Sequence, residues 1–144
     1  MSIQDLIAQA RAEAEAPPTE ENGKYAAASV VIAGQKVQLG FTKMLGAEWS
    51  ALTVIHPPRK GSVADASVGF DFDAVAGKYP AAHITVEGEH PTAEEWTELY
   101  GLMETPWRNV VQMKLFDLHQ SGPARQLLAL GKVSSGAGSR KKRN

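Results

Sequence analysis

Apolar and polar positions alternate along the chain with two distinct periods. Ile3, Leu6, Ile7 and Ala10 recur at i, i+3, i+4 and i+7, which predicts an amphipathic helix over "SIQDLIAQARAEAEAPP". Ser2 and Asp5 stand at capping-box spacing, and Pro17-Pro18 stops the helix. After the polar break "TEENGK" the period changes to two. Val37, Leu39 and Phe41 alternate with Lys36, Gln38 and Gly40, and the β-branched run Val30-Val31-Ile32 precedes them across Ala33-Gly34-Gln35. This spacing predicts a β-hairpin, which must pack on something because a lone hairpin is marginal in water.

Beyond the hairpin the helical period returns. "LGAEWSALTVIH" sets Leu45, Trp49, Leu52 and His56 on one stripe that Pro57-Pro58 ends, and "FDFDAVAGKY" sets Phe72, Val75 and Tyr79 on one face with Asp71 as N-cap. "ITVEGEH" predicts one short strand. Thr92 and Glu95 form a second capping-box pair ahead of the stripe Trp96, Leu99, Tyr100 and Met103. Thr105-Pro106 reads as N-cap and first-position proline of a helix whose face is Trp107, Val110, Val111, Leu115 and Leu118. A last short helix, "PARQLLAL", is expected to close at Gly131. "EWSAL" and "EWTEL" share a pattern, but both are what a helix opening on tryptophan looks like, and two matches do not make a repeat.

The elements sum to a mostly α fold with a small β-hairpin (α+β). The expected organisation is an N-terminal amphipathic arm and linker over 1–23, one compact hairpin-plus-helices domain over 24–130, and a flexible basic tail over 131–144. At 144 residues, 43% apolar and 22% charged, the chain suits a single core. The net charge of -1 conceals an uneven spread: Lys132, Arg140, Lys141, Lys142 and Arg143 fall in a stretch with no acid, leaving the body acidic. A Gly/Ser-rich segment of this kind is expected to be disordered, and contact with nucleic acid or an acidic partner is its other use. No apolar run approaches the ~20 residues that span a bilayer, so no membrane partner is expected. The absence of cysteine excludes disulfides and thiolate chemistry.

The chemistry-bearing residues do not gather into a catalytic pattern. His56, His83, His90 and His119 lack metal-ligand spacing, and helix-end or packing roles suit His56 and His90, each next to a proline. No nucleophile elbow, Walker loop or GxGxxG opening a helix occurs. Asp71 and Asp73, two apart, point to different faces of a helix and cannot share a proton there. Aromatic residues lie on helix stripes and are not interleaved with arginines, so nucleic acid is not expected as a partner. No enzyme activity, metal or cofactor is expected.

"HPPRKG" is more informative. Pro57 and Pro58 send the chain from His56 in a stiff extended direction, with Arg59 held on the exit. Arg59 can pair with Asp65, Asp71 or Asp73, clamping the connection, or it can face a partner; closeness in sequence favours the clamp.

"LGAEWSALTVIHPPRKG", then Asp65, then "VGFDFDAV" resembles the tail assembly chaperones of long-tailed phages of actinobacteria, in which a Gly-Ala-Glu-Trp helix runs into a His-Pro-Pro-Arg turn, an Asp-bearing loop and an aromatic segment. The likeness covers residues 35–80, and the Glu-Glu-Trp and Pro-Trp helices at 94–107 fit as well. Asp71 stands where the family often has Asn. The resemblance implies a non-enzymatic assembly factor of the host cytoplasm, absent from the mature virion. Such a factor binds the tape-measure protein and promotes polymerisation of the tail-tube protein around it. It also implies a longer frameshifted product, with which codons for Lys141-Lys142 are compatible. A small virion component, such as a head–tail connector or tail protein, is the alternative. The residues expected to organise a loop or meet a partner are His56, Pro57, Pro58, Arg59, Asp65 and Asp71, with Ile3, Leu6 and Ile7 on the arm. Surplus apolar faces such as these and Leu127, Leu128 and Leu130 are also compatible with self-association.

Overall fold

The computed structural model of the chain describes residues 2–131. In order, the elements are α1 (Ile3–Glu15), β1 (Tyr25–Ile32), β2 (Gln35–Thr42), α2 (Gly46–Val54), α3 (Val63–Val68) and α4 (Phe72–Gly77). A 3₁₀ turn (Ala81–His83) leads into β3 (Ile84–Val86), followed by α5 (Ala93–Leu102), α6 (Thr105–Phe116) and a π turn (Asp117–Ser121). The chain is again α-helical over 122–131, here α7. The fold is mostly helical with a small antiparallel sheet, as the periodicities predict. The basic tail, from residue 132 onward, lies outside the described residues.

The hairpin forms where expected, with Ala33 (φ 52°) and Gly34 (φ 75°) as a two-residue turn. "ITVEGEH" does supply a strand, and the structure gives it a place: β3 pairs with β2, so the hairpin becomes a three-stranded sheet in the order β1-β2-β3. One face of this sheet carries Ala28, Val30, Leu39, Phe41 and Ile84 into the core, while Ser29, Val31, Lys36 and Gln38 are exposed on the other. On the exposed face Gly40 leaves room for the Tyr25 ring, since a Cβ there would lie 2.5 Å from the Tyr25 hydroxyl.

Helices α4, α5 and α6 close the core over the sheet. Val75, Trp96, Val111 and Leu115 are fully buried, and the Trp96 indole N–H donates to the Ala76 carbonyl at 2.8 Å. Phe41 meets both Tyr79 and Trp96 edge-on, with centroids 6.3 and 5.8 Å apart. Both capping boxes form, Ser2 with Asp5 and Thr92 with Glu95.

Three local readings are corrected. Leu45 is the N-cap of α2 and is exposed, so it does not share the buried stripe of Trp49. The N-cap of α6 is Glu104 with no side-chain bond, and Pro106 sits inside the first turn, where a missing N–H costs nothing. "PARQLLAL" is not a separate helix: α6 continues through the π turn into α7, which reaches Gly131. Pro123 has no N–H to donate, and its ring would crowd the carbonyl four residues back in a regular helix. The wider π turn just ahead of it relieves that conflict, with the Gly122 N–H donating to Asp117.

Candidate functional site

The residues from His56 to Asp71 build one closed loop. Helix α2 ends at Val54, and the prolines forbid its continuation. The Asp71 N–H donates to the His56 carbonyl at 2.8 Å, which ties the two ends of the loop together. At its centre Arg59 grips Asp65 with a planar fork: Nε to Oδ2 at 2.8 Å and Nη2 to Oδ1 at 3.0 Å. The Arg59 main-chain N–H adds a third bond to Oδ2 at 2.9 Å. Ser62 caps α3 by accepting from the Asp65 N–H, and Gly69 (φ 92°) ends that helix in the left-handed region. Asp71 caps α4 through Ala74 and also lies 3.2 Å from Arg59 Nε.

Burial is unequal across this pair. Asp65 is fully buried, whereas the Arg59 side chain is 51% exposed and lies over it. The hydrogen bond from Arg59 holds the Asp65 carboxyl well below the usual carboxylate range, against the opposing pull of burial. Arg59 is correspondingly raised, chiefly by the same bond. Pro57 and Pro58 are exposed, and His56 is half-buried. The structure therefore brings His56, Arg59, Asp65 and Asp71 together into an internal clamp. Ile3, Leu6 and Ile7 lie elsewhere, on α1.

A second polar cluster joins residues far apart in sequence. The π turn lays the His119 ring flat on Trp49 of α2, with centroids 4.0 Å apart and planes 2° from parallel. The Tyr79 hydroxyl donates to the Thr42 carbonyl at 2.6 Å, so its proton is committed. His119 Nε2, 2.9 Å from the same oxygen, must then carry the proton of that contact. Thr42 Oγ1 is in turn 2.8 Å from His83 Nδ1. Burial, with smaller contributions from Lys43 and His83, pushes His119 down to about 3, which keeps the imidazole neutral. Burial likewise raises the Tyr79 phenol. Sequence reasoning did not find this cluster, although His119 stands four residues after Leu115 on the buried stripe.

Asp73 faces a different set from Asp71, as their spacing requires. It accepts from Tyr100 Oη at 2.7 Å and from Gln112 Nε2 at 3.1 Å, and Arg108 Nη1 is 3.6 Å away. This network joins α4, α5 and α6. Among the described residues no group of three or more His, Asp or Glu side chains could hold a metal ion.

Apolar surface remains at both terminal helices. No residue of α1 is buried; Ile3 is 76% exposed, Leu6 57% and Ile7 42%. Leu127, Leu128 and Leu130 on α7 are also exposed. A groove of about 250 Å³ runs between Ala10 and Ala14 of α1 and Lys43, Met44 and Leu45. Another, of about 310 Å³, runs between Lys43 and residues Gly122, Pro123 and Gln126 at the start of α7. Both terminal helices thus flank Lys43. Among the described residues no helix is long and apolar enough to cross a membrane. Compared with family models, curated proteins and solved structures, the chain matches none.

Proposed function

We propose that this chain is the short form of a tail assembly chaperone of a long-tailed actinobacterial phage, acting in the host cytoplasm. In this reading it binds the tape-measure protein, keeps that long apolar helical rod soluble, and promotes tail-tube polymerisation around it. The observation that carries the proposal is the pair of terminal helices whose leucine and isoleucine faces find no place in the core. Ile3, Leu6 and Ile7 on α1 and Leu127, Leu128 and Leu130 on α7 are exposed, on two helices that each border a groove beside Lys43 through other residues, Ala10 and Ala14 of α1 and Pro123 and Gln126 of α7. Apolar faces of this kind suit the helices of a client, which they would cover as i, i+3, i+4 anchors. The His-Pro-Pro-Arg loop belongs to the same picture as a scaffold, because its arginine is engaged internally with Asp65. The resemblance over residues 35–80 supports the reading independently. A longer frameshifted product would extend the chain past its basic tail.

The test is mass spectrometry of infected-cell lysate and of purified particles, seeking peptides from Met1–Lys132. Peptides on a short and a longer polypeptide in lysate, and none in particles, are expected. Abundant peptides in particles from a single product ending at Asn144 would overturn the proposal and make the chain a virion component.

A further inference from the structure

Strand β1 lies at the edge of the sheet, pairing on one side alone. Its ladder to β2 runs unbroken from Tyr25↔Thr42 to Ile32↔Gln35, with no bulge to twist the strand away. The two-residue turn makes Ile32 and Gln35 a mutually hydrogen-bonded pair. Alternation then directs the main-chain groups of Ala26, Ala28, Val30 and Ile32 toward β2. Those of Tyr25, Ala27, Ser29 and Val31 point out of the sheet, and no hydrogen bond to them is formed among the described residues. The strand, "YAAASVVI", holds no charge and no proline.

These are the features that natural edge strands avoid. The opposite edge shows the contrast. β3 is three residues long and is closed by the turn at Glu87 (φ 50°) and Gly88 (φ 82°), which bridges Val86 back to Glu89. Short length and a doubled-back turn guard that side. β1 has none of these.

We propose that β1 pairs antiparallel with β1 of a second copy of this chain, across a two-fold axis, making one continuous sheet. Main-chain groups in an extended row call for a strand as occupant, and the residues of this strand are complementary to their own reverse. With the axis at Ala28, Tyr25 faces Val31 of the second copy and Ala27 faces Ser29, so each outward residue has an outward counterpart. Tyr25 against Val31 is an aromatic–β-branched pair, a favourable cross-strand combination, and the small Ala27 and Ser29 meet at the centre. No like charges oppose each other. The contact is isologous, so it closes at two copies, and the guarded β3 edges lie at the two ends. The inference is independent of the chaperone reading, since it needs no client.

The test is sedimentation velocity of the full chain from about 1 μM to about 500 μM, read with residue-resolved amide exchange. A species of twice 15.5 kDa is expected at the upper end. The amides of Ala27, Ser29 and Val31 should slow as it forms, while those of Ala28 and Val30 are slow throughout. Ser29→Pro removes an outward N–H, a change that an edge strand tolerates, and should weaken self-association at least about tenfold with the circular dichroism unchanged. Val31→Lys, at an exposed side chain, should do the same and serves if the proline variant does not fold. A chain monomeric across the range overturns the proposal and leaves the edge to a strand of another protein. So does a dimer whose Ala27 and Ser29 amides exchange as fast as in the monomer, because its contact lies elsewhere.

Discussion

Arg59 and His119 show how a single side chain can hold a connection in place, and each makes a distinct prediction. Asp65 is buried, and Arg59 supplies both of its forked bonds. Arg59→Ala leaves that carboxylate without its countercharge. Breaking a fully buried pair costs roughly 3–5 kcal/mol, but water reaches the half-exposed arginine position, so about 2 kcal/mol is expected here. The midpoint of thermal unfolding should fall by about 5–8 °C, and Arg59→Lys should recover part of it, lacking the fork. An unchanged melting temperature would show the clamp to be idle. His119 predicts a pH dependence. Its folded value of about 3 lies below the ~6.5 of an unfolded histidine, so between those limits the unfolded chain binds a proton that the folded chain refuses. The stability from neutral His119 is complete above ~6.5 and drains as pH falls toward 3, at up to about 1.4 kcal/mol per pH unit. Urea midpoints at pH 7, 6 and 5 measure this slope before the carboxylates titrate. His119→Phe keeps an aromatic ring on Trp49 and should flatten it; an equal slope in the variant would assign the effect to another group.

At the scale of elements, legibility followed sequence distance. The two capping boxes, the Asp71 cap and the Arg59–Asp65 pair were readable because each spans a few residues, where local geometry alone decides the contact. The place of β3 was not, since a three-residue strand carries no pairing information and its register with Leu39 and Phe41 is fixed by the core. The π turn was the larger omission. Ser121-Gly122-Pro123 marks a break by composition, and a regular helix cannot pass Pro123 unaltered. The chain instead widens by one residue and continues. Gly122 permits this, because a Cβ there would lie 2.6 Å from the Asp117 carbonyl oxygen. The widened turn shifts the helical face beyond Ser121, so extending the periodic stripe past that point misplaces the residues of α7, whereas His119, four after Leu115, stays on the buried side. What the stripe does not supply is its partners: Trp49 and Tyr79 lie far away in sequence, and only the three-dimensional structure brings them to His119.

For the whole molecule, the division between a packed body and exposed terminal helices makes the functional reading testable by subtraction. The fully buried residues all lie between Val30 and Leu115, and α1 contributes no buried residue. Exposed apolar side chains stabilise a fold little, since their surface is never removed from water. Removal of residues 1–16 should therefore move the melting temperature by no more than about 3 °C, equivalent to ~1 kcal/mol in a chain of this size. Under the proposed chaperone function, the same truncation should also sharply reduce the fraction of co-expressed tape-measure protein recovered in the soluble phase, because Ile3, Leu6 and Ile7 leave with it. The two readouts separate the alternatives. A large drop in melting temperature would mean that α1 is part of the folded body after all. A truncated chain that melts normally and still keeps the client soluble would move the binding surface from α1 to α7 or to the exposed side of the domain.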